Sequence, residues 1–297
     1  MAIASNFFRL AVVGLSLSTA WLSIGCRQLP PSPMLHSATV NASVNSSLSS
    51  QSSSFQVNAE SAESADLRLA QTRSDSATRR LLEAVSAGDL SRVEAALNSG
   101  ANVDAGDRWS GYPLTRAAER GDIQMVRLLV DRGANVDVAT GEGLTALGRA
   151  VEAGNTEMVR VLVEAGASPD RYPTNGVAPL YKAVEAGNTE MVRLLLAGGA
   201  SPNLRGTVPP LYKAVEAGNT EMVRLLLAGG ASPNQANAGM TPLYKAVEAG
   251  NTEMVRLLLN YGASAQTSVQ GRSPLSLAQE RGNTEIVRLL QRAGARL

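Results

Sequence analysis

Few residues in this chain have the type and spacing that chemistry requires. There is one cysteine, Cys26, and one histidine, His36, both well ahead of the region that is regular in sequence. A zinc site draws several ligands from Cys and His. A Ser–His or Cys–His nucleophilic pair needs a histidine held on a scaffold. Both chemistries are excluded, and so is a disulfide within one chain. Carboxylates are more promising, because Glu152, Glu185, Glu216 and Glu248 recur at nearly constant spacing. Such a row could attract a basic partner, or in a hydrolase supply an acid–base group. Against both, Lys182, Lys213 and Lys245 stand three residues before the last three of these glutamates, where side chains pair on a helix. Identical solvated carboxylates also lack anything to set their pKa values apart, which acid–base catalysis needs. The alternation of Lys with Glu removes the uncompensated basic stripe expected of a nucleic-acid groove, in keeping with a net charge of +1. No cofactor or metal is implied.

The other candidates are residues that break an otherwise monotonous pattern. "AGDRWSGYP" contains Trp109 and Tyr112, and "PDRYPTNGV" contains Arg171 and Tyr172. Trp, Tyr and Arg dominate the energetics of protein interfaces, so these four are expected partner-binding anchors alongside the four glutamates. Trp109 suits equally well a role covering the edge of the preceding segment. Tyr181, Tyr212 and Tyr244 are expected to be buried or half-buried, with their hydroxyls linking neighbouring segments.

The elements that hold these residues follow from glycine. Gly88, Gly121, Gly154, Gly187, Gly218, Gly250 and Gly282 are spaced by 33, 33, 33, 31, 32 and 32 residues. A second series, Gly100, Gly133, Gly166, Gly199, Gly230, Gly262 and Gly294, follows the first at a constant twelve residues. All length variation therefore falls in the connecting turn, where insertions disturb few packed groups. Within "TPLYKAVEAG", Thr241 is a plausible N-cap, Pro242 suits the first helical position, and Leu243, Ala246 and Val247 share one face. Asn251 can cap a second helix, Met254, Val255, Leu258 and Leu259 form its buried side, and Gly262 can stop it. Neither helix persists alone in water, so the units must stack.

A period near 33 residues with one turn and two helices resembles the ankyrin repeat, seen in "TPLYKAVEAGNTEMVRLLLNYGA" (241–263) and "YPLTRAAERGDIQMVRLLVDRGANVD" (112–137). The resemblance spans residues 78–297. It implies an all-α solenoid of about seven turn–helix–helix units, with terminal units acting as caps. It also implies a concave groove lined by turn tips and first helices, where partners bind. The groove positions before the marker glycine are then Glu119, Arg120, Glu152, Glu185, Glu216, Glu248, Glu280 and Arg281. The family's histidine is replaced by Tyr181, Tyr212 and Tyr244, and its threonine cap is missing before Pro113, Pro179 and Pro210.

Residues 1–25 have the layout of a signal peptide: Arg9, then an apolar run to about Leu22, then small residues. "LSIGC" resembles a bacterial lipobox, which implies acylation of Cys26. An ordinary cleaved signal and an uncleaved anchor remain open alternatives. Residues 26–77, rich in Ser, Asn and Ala, are expected to form a disordered linker. The chain as a whole reads as a non-catalytic protein-binding scaffold of the bacterial cell envelope, tethered to a membrane through Cys26. A periplasmic or secreted soluble protein is the alternative location. A self-associating spacer, and a hydrolase with a groove carboxylate, are the alternative functions.

Overall fold

A computed structural model describes residues 68–106, 111–172, 176–204 and 208–296. Among these, fourteen helices follow one another in seven pairs. Helix α1 covers residues 68–87 and pairs with α2 (Leu90–Asn98). Next come α3 (Pro113–Glu119) with α4 (Ile123–Asp131), α5 (Ala146–Glu152) with α6 (Thr156–Glu164), and α7 (Pro179–Glu185) with α8 (Thr189–Ala197). The remaining pairs are α9 (Pro210–Glu216) with α10 (Thr220–Ala228), α11 (Pro242–Glu248) with α12 (Thr252–Asn260), and α13 (Pro274–Glu280) with α14 (Thr284–Arg292). No strand occurs among the described residues; the isolated bridges in the turns include Ala139 with Thr145, Asn237 with Met240, and Val269 with Arg272.

Seven-residue first helices pack on one another in one layer, and nine-residue second helices pack in another. Stacking buries a continuous core. In α8, Met191, Val192 and Leu195 are almost wholly removed from solvent, and their counterparts repeat the pattern in every interior unit. Truncating such a leucine to alanine costs about 2–5 kcal/mol.

Caps fix where each helix starts. Every second helix from α2 to α14 has an Asp or Asn cap whose side chain accepts the backbone N–H three residues on, as Asn188 does from Met191. The expected Thr241 cap is present and accepts from the Tyr244 N–H. Where threonine is missing, Ala178 and Pro209 provide no side-chain cap. At α3, Tyr112 likewise provides no side-chain cap, and its own N–H donates to the Thr115 hydroxyl at 3.0 Å. The two glycine series sit at the ends of the helices with positive φ, 68° at Gly187 and 89° at Gly199, which explains their constant spacing.

One boundary differs from expectation. Residues 68–77, read from their composition as the end of the linker, lie in α1. Contacts remote in sequence hold them there. Ser74 donates to the Gly100 carbonyl at 3.2 Å, Thr78 accepts from the Asn102 N–H at 3.2 Å, and Ala77 is fully buried. The leader, Cys26, His36 and the linker as far as residue 67 lie outside the described residues. No helix among the described residues is long and apolar enough to cross a membrane.

Candidate functional site

The turns project as a row of fingers. Two are tight two-residue turns: Asn237 and Met240 exchange backbone hydrogen bonds at 3.0 and 2.9 Å, and so do Val269 and Arg272, both at 2.9 Å. Their central residues, Ala238–Gly239 and Gln270–Gly271, all have positive φ, the geometry of the type I′ turn. A clasp ties each finger to the next. Asp104 accepts from the Asn135 N–H at 2.9 Å, Asp137 from Ser168 at 2.8 Å, and Asp170 from Ser201 at 3.0 Å. Asn203 and Asn234 continue the row by accepting from Ser232 at 2.8 Å and Ser264 at 2.7 Å. These two amides also donate to the carbonyls of Gly230 and Gly262, which a carboxylate cannot do. Sequence reasoning passed over this row. Its signal is a fixed offset, since every clasp residue stands four places after a glycine of the second series.

Two of the expected anchors meet. Tyr112 and Arg171 line one open cleft of 350 Å³ across the finger between α4 and α5, together with Asn135, Asp137 and Thr140. Tyr112 is half-buried, Arg171 is exposed, and Arg171 forms no ion pair with any described residue. The Thr140 hydroxyl is buried without a hydrogen-bond partner. Tyr172 is half-buried beside Arg171 but does not line the cleft. Trp109 lies outside the described residues.

The four glutamates lie on four successive first helices, and each is held by a basic residue of its own helix. Arg149 reaches Glu152 at 4.0 Å, Lys182 reaches Glu185 at 3.6 Å, Lys213 reaches Glu216 at 3.1 Å, and Lys245 reaches Glu248 at 2.8 Å. Hydrogen bonds to Glu216 and Glu248 hold the Lys213 and Lys245 ammonium groups above the ordinary lysine value. The carboxylates therefore form a compensated row. Among the tyrosines, Tyr212 donates to the Met240 sulfur of the next unit at 3.2 Å, and burial pushes its phenol above the ordinary value. Tyr244 is buried and Tyr181 half-buried. Among the described residues, no group of three Cys, His, Asp or Glu side chains is placed to hold a metal ion.

A second charge row, not anticipated from the sequence, runs along the second helices. Arg127 pairs with Glu157 of the next unit at 3.2 Å, and Arg160 with Glu190 at 2.9 Å. Further along, Arg224 pairs with Glu253 at 3.6 Å and Arg256 with Glu285 at 3.5 Å. Its signal is again a constant offset, with arginine six and glutamate three residues after a marker glycine.

Fold, caps and fingers agree with the family model of ankyrin repeats, which matches residues 81–173, 169–237 and 211–297. The chain is an ankyrin repeat protein. It is similar to the crystal structure of an ankyrin repeat domain from Acinetobacter baumannii AYE, with 34% identity over 62% of this chain and 99% of that one, at a TM-score of 0.56. The ankyrin repeat domain of Bcl-3, a member of the IkappaB protein family, matches with 32% identity over 63% of this chain and 88% of that one, at a TM-score of 0.52. The ankyrin repeat protein EF0377 matches with 30% identity over 60% of this chain and 96% of that one, at a TM-score of 0.51. No curated protein sequence matches the chain. Membership accounts for the regular core, because each unit repeats the same pair of helices.

Proposed function

We propose that this ankyrin stack binds a protein partner through its fingers, centred on the cleft shared by Tyr112 and Arg171, and that Cys26 tethers it to a membrane of the bacterial envelope. The convergence of Tyr112 and Arg171 on one cleft carries the reading. These residues are far apart in sequence, belong to different units, and pair an aromatic surface with a guanidinium that has no ionic partner among the described residues. Trp109, three residues before Tyr112 in the sequence, and Tyr172, one after Arg171, are assigned to the same contact on residue type. Glu152, Glu185, Glu216 and Glu248 have a lesser part in the site, because each already holds a cation.

The test is a photo-crosslinking residue placed at 112 or 171 in cells that produce the chain. One discrete adduct is expected from both positions, absent when the crosslinker is at position 224 on the second-helix side. Adducts from 224 alone would refute the finger-side assignment. Labelling with a radioactive fatty acid, with Cys26→Ser as control, tests the tether. Identity between residues 180–203 and 211–234 favours a second reading, a spacer that associates with its own copies through a repeated surface. Sedimentation that depends on concentration, without a heterologous adduct, would select that reading.

A further inference from the structure

Ion pairing changes character at the first unit. On the second helices, Arg127, Arg160, Arg193, Arg224, Arg256 and Arg288 each hold a glutamate. Arg73, Arg80 and Arg92 of the first unit are exposed, and no ion pair joins any of them to a described residue. Arg80 donates only weakly, at 3.4 Å, to the Ser76 carbonyl of its own helix.

The three side chains border neighbouring hollows that share Arg80. Two adjoining open hollows, of 390 and 170 Å³, run between α1 and α2. Leu69, Arg73 and Arg80 line the larger, Arg80 and Arg92 line the smaller, and Ser99 borders both. Leu69, Arg73 and Arg80 follow helical spacing, so they share a face of α1. The unit also contains Asp75, Glu83, Asp89 and Glu94, but no carboxylate lines either hollow. Leu69 is 56% exposed, the most of any large apolar side chain described. Unpaired arginines beside an exposed leucine match a lipid interface, where phosphates take the guanidiniums and the apolar boundary takes the leucine.

We propose that this α1–α2 face docks on an anionic phospholipid surface, with Arg73, Arg80 and Arg92 meeting headgroup phosphates and Leu69 entering the interface. The placement at a membrane rests on the tether reading above. The chain runs from Cys26 through the linker into α1, so a tether would bring this end of the stack to the bilayer first, leaving the fingers of later units free.

The test uses the full chain carrying Cys26→Ser, sedimented with vesicles of phosphatidylcholine alone or mixed with phosphatidylglycerol. Binding through the apolar leader is common to both vesicles, so their difference reads the charged component. Tighter binding to the anionic vesicles is expected, weakening with added salt. Replacing arginine by serine should weaken it about five-fold per residue and about a hundred-fold for the triple variant, at about 1 kcal/mol per arginine. Arg224→Ser, on a paired residue, should bind like the parent. These side chains are exposed, so an unchanged circular dichroism spectrum is expected in every variant. Equal binding to both vesicles, or a triple variant bound as tightly as the parent, overturns the proposal. So does arginine-dependent binding to an acidic polypeptide without preference for anionic vesicles, which would assign the face to a protein. If Cys26 takes up no fatty acid yet vesicle binding depends on the arginines, the tether fails and the docking face stands.

Discussion

Asp170 offers a test of how the fingers are held. Both of its carboxylate oxygens accept the Ser201 N–H of the next unit, at 3.0 and 3.1 Å. Hydrogen bonds to charged groups contribute about 1.5–3 kcal/mol. Both residues are half-buried, so solvent screening places the expected loss for Asp170→Ala at the lower end, about 1.5 kcal/mol. That loss corresponds to about ten-fold faster exchange of the Ser201 amide, if the clasp opens as a local unit. Asp170→Asn should behave differently. One unit further on, Asn203 fills the equivalent place, accepting from Ser232 at 2.8 Å and donating to the Gly230 carbonyl at 2.8 Å. The amide at position 170 finds the Gly199 carbonyl in the corresponding position, so the lost charge is offset by a second hydrogen bond. Stability within about 0.5 kcal/mol of the parent is expected. Native-state hydrogen exchange at Ser201, with urea unfolding followed by circular dichroism, measures both variants. An alanine variant with unchanged Ser201 exchange, or an asparagine variant as weak as alanine, would refute the clasp.

Gln270 and Ala238 hold left-handed backbone at φ 49° and 48°, so Gln270→Gly and Ala238→Gly should each raise stability by about 0.5–1 kcal/mol, read from the urea midpoint at constant slope. Leu195→Ala, in the fully buried core of α8, should cost about 2–5 kcal/mol by the same assay. Lys213, Lys245 and Tyr212 all have folded values above their ordinary ones, the lysines through hydrogen bonds to glutamate and the tyrosine through burial. A raised folded value contributes stability that is fully present below the unfolded value and is lost as pH rises through the folded one. Midpoints against pH should therefore fall on the alkaline side, through the lysine and tyrosine range, and less steeply in Lys245→Met. Glu185→Gln should change partner affinity no more than roughly two-fold, because its carboxylate already holds Lys182 at 3.6 Å.

The helical frame was legible in the sequence because its determinants are local. A cap such as Asn251 and a stop such as Gly262 act within a turn of their own position, and they recur at fixed intervals. The Tyr112–Arg171 cleft was legible only as two separate anchors. Their meeting depends on how the fingers of adjacent units lean together, which no local signal carries. The first half of α1 was hidden for a similar reason. Its Ser- and Thr-rich composition resembles a linker, and the partners that order it, Gly100 and Asn102, lie more than twenty residues away in sequence. The clasp and the second charge row were present as constant offsets, but their role appears only when successive units are stacked.

The uniform junctions have a consequence for growth of the stack. Each seam uses the same components: a side-chain clasp between fingers, apolar packing between helices and, at most seams, a glutamate passed to the neighbouring arginine. A further copy of residues 211–242 would meet, on either side, a surface already shaped to receive it. Such a chain can lengthen or shorten by whole units without any new interface being invented. The reach of its binding face is then a ruler graduated in repeats, and a partner spanning several fingers would feel a deletion as a shift of one full graduation.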